Sequence, residues 1–228
     1  MGQHLLPGNP EISLDLRRSA RARRISLRVS RIDGRVTLTL PRGVPEAEGL
    51  QFARDRADWL RRHLSDRPAQ ITAAIGAQIP VQGEFRRIET EPGRAVQLQP
   101  GAITVPGDPA RAGARIAGFL KTRARAALVP ACDAYAARLG RPYTRITLRD
   151  TRSRWGSCSS AGALMFSWRL IMAPPEVLDY VAAHEVAHLT EMNHSPAFWS
   201  TVERLYGDYA APRAWLRQQG DSLHLVRF

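Results

Sequence analysis

The stretch VAAHEVAHLTEMNHSPAFW, residues 181–199, contains three of the chain's six histidines. Its first part, HEVAH at 184–188, has the form H-E-x-x-H. Two histidines four residues apart on a helix point the same way, so both rings can reach one zinc ion at roughly 2.0 to 2.1 Å. Glu185 follows the first histidine and can contact a metal-bound water without being forced to ligate the metal. The spacing therefore predicts a metal site on a helix.

A third protein ligand is needed, and two residues are candidates. His194 lies six residues past His188, the interval found in the extended motif H-E-x-x-H-x-x-G-x-x-H. In that motif a glycine lets the chain turn back, whereas Glu191 occupies its position here. We expect Asn193 to make the turn, because asparagine tolerates the left-handed conformation. Imidazole suits zinc and Glu191 would need an unbroken helix to reach it, so His194 is favoured and Glu191 is the alternative.

Packing is the competing interpretation of these histidines. H-E-x-x-H is short enough to occur by chance, and a single buried histidine is usually a satisfied core residue. Three histidines at these intervals, on an apolar helix that must otherwise bury Glu185 without a partner, are hard to explain by packing. The predicted chemistry is hydrolysis, in which Glu185 accepts a proton from zinc-bound water as that water attacks a carbonyl.

The chain before the motif predicts a long helix followed by two strands. A helical pattern begins at Pro109, is interrupted near Pro130 and stops at Gly140. The strands follow at 146–148 and at 166–171, and prolines then lead into the motif helix.

The first third of the chain alternates apolar and polar residues as strands do. The strand-like segments are ISLDL at 12–16, ISLRV at 25–29 and RVTLTL at 35–40. Asp33-Gly34 between the last two predicts a hairpin. We expect a small antiparallel sheet here, covered by one helix over 45–64. Residues 70–108 return to short strands broken by Pro-Gly turns, which predicts two further hairpins.

The net charge of the chain is +12, and Lys121 is its only lysine. Arginine binds phosphate and carboxylate groups bidentately, so a polyanionic partner or substrate is one hypothesis. A plain solvated surface is the alternative. The densest cluster is RRSARARR at 17–24, with five arginines in eight residues. Arg152 and Arg154 are candidates for attracting acidic groups of a substrate.

The composition gives no sign of a membrane span or of export. No run of eighteen apolar residues occurs, and the first sixteen residues lack the basic-then-apolar pattern of a secretory signal. We therefore expect a cytoplasmic protein without membrane association. Cys132 and Cys158 lie in different predicted elements, so we expect reduced thiols and neither a disulfide nor a metal pair.

The segment from Ser153 to Trp199, SRWGSCSSAGALMFSWRLIMAPPEVLDYVAAHEVAHLTEMNHSPAFW, resembles the signature of the YgjP-like metallopeptidase family, a relative of the SprT-like metalloproteases. The resemblance extends over about residues 12–220. It implies a zincin-like core with a backing helix, a small sheet whose edge receives an extended peptide, and the HEVAH helix. It also implies that Glu185 is the general base or acid. The zinc ligands that it implies are His184, His188 and His194.

Together these features predict an α+β protein. Residues 1–108 would form an antiparallel β-rich region with one helix, packed on a zincin-like metallopeptidase domain over residues 109–228. The leading hypothesis is a zinc-dependent metallopeptidase that hydrolyses peptides or proteins with zinc-bound water activated by Glu185. One alternative is metal-dependent hydrolysis of a nucleotide phosphoanhydride. The other is a nucleic-acid-associated protease that uses the basic N-terminal patch.

Overall fold

The computed structural model describes residues 2–66 and 68–228. It divides into two compact units, Met1–Ala69 and Gln70–Phe228. This division differs from the predicted boundary between residues 108 and 109. The reason is that Ile79 and Ile103, from the predicted hairpins, share one hydrophobic core with Val181 of the motif helix. Within the described residues, no helix is both long enough and apolar enough to cross a membrane.

The first unit contains a four-stranded sheet in the order β1-β2-β4-β3. The three predicted strands are confirmed and one more precedes them. Strands β2 and β4 run parallel while the other two pairings are antiparallel, so the expected wholly antiparallel arrangement is wrong in that pairing. The strand bounds are β1 Gly2–Leu6, β2 Ile12–Ser19, β3 Ser26–Val29 and β4 Val36–Pro41.

Two short helices follow the sheet where one was predicted. They are α1, Glu46–Arg54, and α2, Ala57–Ser65, and the chain breaks between them at Arg56, whose φ is −113° and ψ 13°. Ala53 and Leu60 are both fully buried in the core of this unit. Both helices therefore contribute to this core, where a single helix was predicted.

The basic cluster at 17–24 lies at the end of β2 and in the turn after it. One of its arginines has a structural role, because Arg18 Nη1 donates to the main-chain oxygens of Arg42 and Val44 at 3.3 and 2.8 Å. Nucleic-acid binding by this cluster stays a prediction.

The second unit opens with short strands. The two predicted hairpins, β6-β7 and β8-β9, are confirmed and join into a sheet in the order β6-β7-β9-β8. The first turns at Gln82 and Gly83, with φ of 55° and 81°. The strand bounds are β5 Ile71–Thr72, β6 Gln78–Val81, β7 Glu84–Thr90, β8 Gln97–Gln99 and β9 Ala102–Val105.

The long helix α3, Ala112–Leu139, runs through Pro130 without a break. The predicted interruption is therefore wrong. Proline removes one helical hydrogen bond, but a buried stripe along the whole helix anchors both halves in the core. The predicted stop at Gly140 is confirmed, with the left-handed φ of 70° that favours glycine. The fully buried members of the stripe are Ile116, Leu120, Ala124, Leu128 and Cys132.

A three-stranded sheet leads to the motif. Its strands are β10, Arg145–Arg149, β11, Gly156–Cys158, and β12, Ala163–Ser167, in the order β10-β12-β11. The predicted strand at 166–171 ends at Ser167, because the chain then forms a 3-10 helix over Trp168–Met172. Strand β12 lies in the centre of this sheet, and β11 lies at its edge.

Three helices complete the unit. They are α4, Pro175–Ala187, α5, Pro196–Tyr206, and α6, Ala210–Gln219. The last strand, β13 at Val226–Arg227, pairs with β5 and brings the end of the chain back to the start of the unit. The α+β fold class is confirmed.

Arg169 fixes this terminal segment. Its side chain is only 9% exposed and bonds bidentately to Asp150 at 2.6 and 3.1 Å. Its Nη1 also donates to the main-chain oxygens of Leu223 and Val226, at 2.8 and 2.9 Å. The planar guanidinium group of Arg169 has several N–H donors and can bond to all of these acceptors at once.

His224 is buried, although no ligand spacing involves it. It is 8% exposed, and its ring stacks on Trp155 with centroids 4.9 Å apart. Burial, reinforced by the charge of Arg169, lowers the pKa of His224 from 6.5 to about 4.

This burial predicts acid sensitivity. Between about pH 6.5 and about pH 4 the unfolded chain binds a proton at His224 that the folded chain excludes, so the free energy of unfolding falls as the pH falls. One pKa unit is worth about 1.4 kcal/mol, and since the ring keeps some contact with water we expect a loss of about 2 kcal/mol. Urea unfolding of wild type and of His224→Gln at both pH values measures this loss of unfolding free energy. Equal pH dependence in the two proteins would contradict the assignment.

Candidate metal centre

Helix α4 places the H-E-x-x-H residues in the interior of the second unit. Pro174 precedes it and Pro175 occupies its first position, where the missing N–H costs nothing. Most of the helix is buried. His184 and Glu185 lie in its last turn, and His188 is the residue that caps it.

The three motif histidines converge. One potential ligand atom from each lies within 4.8 Å of the other two. The Nε2 atoms of His184 and His194 are 3.1 Å apart. Glu191, the alternative third ligand, is outside this group and instead accepts a hydrogen bond from His188 Nδ1 through its main-chain oxygen, at 2.8 Å. The geometry thus brings together the set of residues that the sequence favoured.

The chain returns to the cluster without a left-handed residue. Among the described residues, Gln82 is the one non-glycine position with positive φ, so the conformation expected at Asn193 is wrong. A tight turn takes its place, in which Ser195 N donates to Asn193 O at 2.8 Å. The Ser195 side chain then accepts from Phe198 N at 3.3 Å and caps α5, as its sequence predicts.

This donor set fits a zinc ion. Two imidazole nitrogens bound to one tetrahedral ion at roughly 2.0 to 2.1 Å lie about 3.3 Å apart, close to the separation of His184 and His194. Burial, with the neighbouring histidines, lowers the pKa of His184 to about 3, which keeps its ring neutral as a ligand must be. The bond from His188 Nδ1 to a carbonyl leaves its Nε2 free to face the cluster.

Glu185 is a buried carboxyl without a hydrogen-bond partner. It is 5% exposed, and its Oε2 is bonded to no described residue. Burial raises the pKa of Glu185 to about 8, and the charge of Arg154 opposes this rise. An unpaired buried carboxyl is costly to a fold, which marks it as a candidate for function.

Gly156 on β11 lies directly against Glu185. A Cβ atom built on this glycine would lie 2.5 Å from both Cγ and Oε1 of Glu185. The absence of a side chain therefore lets the edge strand approach the carboxyl. Sequence reasoning missed this residue. The available signal was a glycine inside a strand-forming segment, which often marks a close approach.

Aromatic rings from α5 hold the histidines in place. Phe198 stacks on His188 with centroids 4.4 Å apart, and Trp199 stacks beside His194 at 5.7 Å. The guanidinium of Arg213 lies 4.2 Å from the Trp199 ring centroid. One side of the cluster is thereby walled by packed rings.

A family model described as a YgjP-like metallopeptidase domain matches residues 23–219. That span takes in most of the chain, including the motif and the three-stranded sheet. The chain belongs to the YgjP-like family. This YgjP-like protein is accordingly a metal-dependent peptidase, and so a hydrolase whose substrates are peptides or proteins.

One solved structure is similar in part. The metallopeptidase zymogen abylysin of Pyrococcus abyssi is 21% identical to the YgjP-like chain, with a TM-score of 0.36, over 40% of this chain and 95% of that one. A comparison with curated proteins gave no match.

The polar side chains that follow the third histidine of this YgjP-like protein make contacts of their own. The Tyr206 hydroxyl donates to the main-chain oxygen of Glu176 at 3.0 Å. The Asp208 carboxylate accepts a hydrogen bond from Ala210 N at 2.9 Å, just before α6. Tyr209 stacks on the aromatic wall at 5.1 Å, and its hydroxyl bonds to no other residue in the described ranges.

The two arginines suggested for substrate lie in the loop before β11 and are exposed. The charge of Arg154 acts on Glu185, and that of Arg152 acts on Asp150. Of the two, Arg154 is thus the one near the metal centre of this YgjP-like protein, and substrate binding by either stays a prediction.

Proposed function

We propose that this protein is a zinc-dependent metallopeptidase in which Glu185 is the general base. The observation that carries the proposal is a buried carboxyl, with no partner for its Oε2 among the described residues, directly after His184, the first of three converging imidazoles. Zinc, when bound, supplies a Lewis acid that lowers the pKa of water and polarises a peptide carbonyl.

The chain's own residues have separate tasks in this proposal. The three histidines hold the ion, and the Glu191 carbonyl fixes the ring of His188. The charge of a bound zinc ion would favour the ionised form of Glu185, which accepts the proton released as water attacks the carbonyl and then returns it to the leaving amine. Its burial excludes bulk water that would otherwise compete for that proton.

The substrate would lie along β11. Ser167 N donates to Trp155 O at 2.8 Å, and Ser159 N donates to Ala163 O at 3.0 Å. Pairing in an antiparallel ladder alternates, so the main-chain groups of Gly156 and Cys158 face away from β12 and are available to an extended peptide.

Arg213 is our candidate for stabilising the oxyanion. Its guanidinium is held over Trp199, and its charge contributes to the lowered pKa of His184, so it lies close to the cluster. A fixed cation beside the reacting carbonyl favours the negative charge that develops there.

Zinc affinity tests the ligand assignment. We expect one zinc per wild-type chain, and a loss of affinity of more than about 100-fold in His194→Ala, because a direct ligand matters more than the residues that orient ligands. Glu191→Gln is the matched comparison and should keep wild-type affinity. Calorimetric titration of metal-free protein gives both values. Retained affinity in His194→Ala together with lost affinity in Glu191→Gln would reverse the assignment.

A further inference from the structure

The outer face of the three-stranded sheet is strongly basic. On β10, Ile146 and Leu148 pack against the core, so Arg145, Thr147 and Arg149 lie on the opposite face. The loop before β11 brings Arg154 to the same face.

These residues line a cavity of about 600 Å³, here called the arginine basin. Its charged members are Arg145, Arg149 and Arg154, and no lining residue is acidic. Within the described part of the chain, none of the three guanidinium groups forms an ion pair or a hydrogen bond. Thr147 and Ser157 are among the hydroxyl residues that also line it. The basin is therefore a positively charged site with several hydrogen-bond donors.

Strand β11 separates the basin from Glu185. Gly156 lies against the Glu185 side chain, whereas Ser157, the next residue, lines the basin. This follows from the alternation of side chains along a strand. The carboxyl of Glu185 thus lies against one face of this short edge strand, and the arginine basin lies on the other face.

We propose that the arginine basin binds an acidic side chain of the peptide substrate, an inference that rests on the proposed function. A peptide paired antiparallel to β11 places the residue opposite Ser157 on the basin face, with Cβ atoms about 4.5 to 5.5 Å apart. Its neighbours on either side point toward Glu185. A glutamate or aspartate at that residue meets three unpaired guanidiniums, which bind carboxylates through short, charge-assisted hydrogen bonds.

The test uses peptides of alanine and leucine that carry one glutamate, moved through successive positions, with matched glutamine peptides. Binding is followed by fluorescence anisotropy in the Glu185→Gln background, and cleavage by protein with intact Glu185 is followed in parallel. We expect glutamate at one position to improve both binding and kcat/KM by about tenfold over glutamine at low salt. The double variant Arg145→Gln/Arg149→Gln should bring that ratio close to one. Arg94→Gln removes an exposed charge elsewhere in the same unit and should leave the ratio unchanged.

The outcomes separate this inference from the proposed function. Cleavage of both peptide sets at equal rates would overturn the basin inference and leave the peptidase intact. Glutamate-dependent binding that the double variant loses, without any cleavage by zinc-loaded wild type, would support the basin and count against the peptidase. If Arg94→Gln lowered the glutamate-to-glutamine ratio as much as the double variant does, the effect would be one of general charge. That result would overturn the basin assignment.

Discussion

Glu185→Gln should lower kcat for peptide hydrolysis by about a thousandfold while zinc stays bound. The amide has nearly the shape of the carboxyl but cannot accept a proton from the attacking water, and a positioned general base contributes about 10² to 10⁴ to a rate. The side chain is 5% exposed, so bulk water has little access to replace it. The measurement is single-turnover cleavage of a peptide that the wild type hydrolyses.

Matched zinc content makes this result decisive. Both proteins are loaded with zinc and their metal content is measured by atomic absorption before the assay. Glu203→Gln, which removes a carboxylate from the exposed side of α5, is the control and should cleave like wild type. Full activity of Glu185→Gln would show that another group takes the proton.

Gly156→Ala should reduce kcat/KM by about a hundredfold with zinc retained. The added methyl would lie 2.5 Å from Glu185 Cγ and Oε1, so either the edge strand or the carboxyl must shift. Displacement by about 1 Å at a reacting group costs on the order of 10² in rate. Single-turnover cleavage and calorimetric zinc binding, measured on the same preparation, separate a displaced base from a lost metal.

Gly118→Ala is the matched control for this substitution. Its Cβ would meet nothing within 4 Å, and alanine favours the helix α3 by up to about 1 kcal/mol. The control should therefore be slightly more stable and fully active. Wild-type activity in Gly156→Ala would mean that the close approach of β11 has no part in positioning Glu185.

The convergence of the three histidines was predictable because its determinants are local. The spacing of His184 and His188 fixes their relative direction on any helix, and the six-residue interval to His194 is short. Ser195-Pro196 signals the next helix and so limits where the chain can turn. The left-handed conformation predicted at Asn193 was nevertheless wrong, because a tight turn needs no left-handed residue. Such a turn leaves no distinct signal in the sequence.

The remaining features depend on contacts between distant parts of the chain. Gly156 lies against Glu185, 29 positions further on, and no periodicity reports that approach. The partners of Arg169 at the chain's end are more remote still, 54 and 57 positions further on, so no local pattern reports the burial of this terminal segment. The helix interruption predicted near Pro130 was wrong for the same reason. Burial of the apolar stripe of α3 outweighs the local helix-breaking preference of proline.

The division into compact units differs from the predicted boundary for a similar reason. Strands β6 to β9 resemble the N-terminal strands in composition, so the sequence grouped them together. Packing places Ile79 and Ile103 in the core of the catalytic unit instead. Which of two cores an apolar strand joins depends on complementary surfaces, and alternation alone carries no information about them.

The central claim is that the histidine cluster and Glu185 form a zinc peptidase centre. The most direct measurement is digestion of a diverse peptide library by metal-free and zinc-loaded wild-type protein, read by mass spectrometry, with nucleoside triphosphates assayed beside it. If the cluster is a zinc peptidase centre, peptide cleavage appears with zinc, disappears on chelation and returns when zinc is restored. An intact library with zinc bound, and above all phosphate release from the nucleotides in its place, would contradict it.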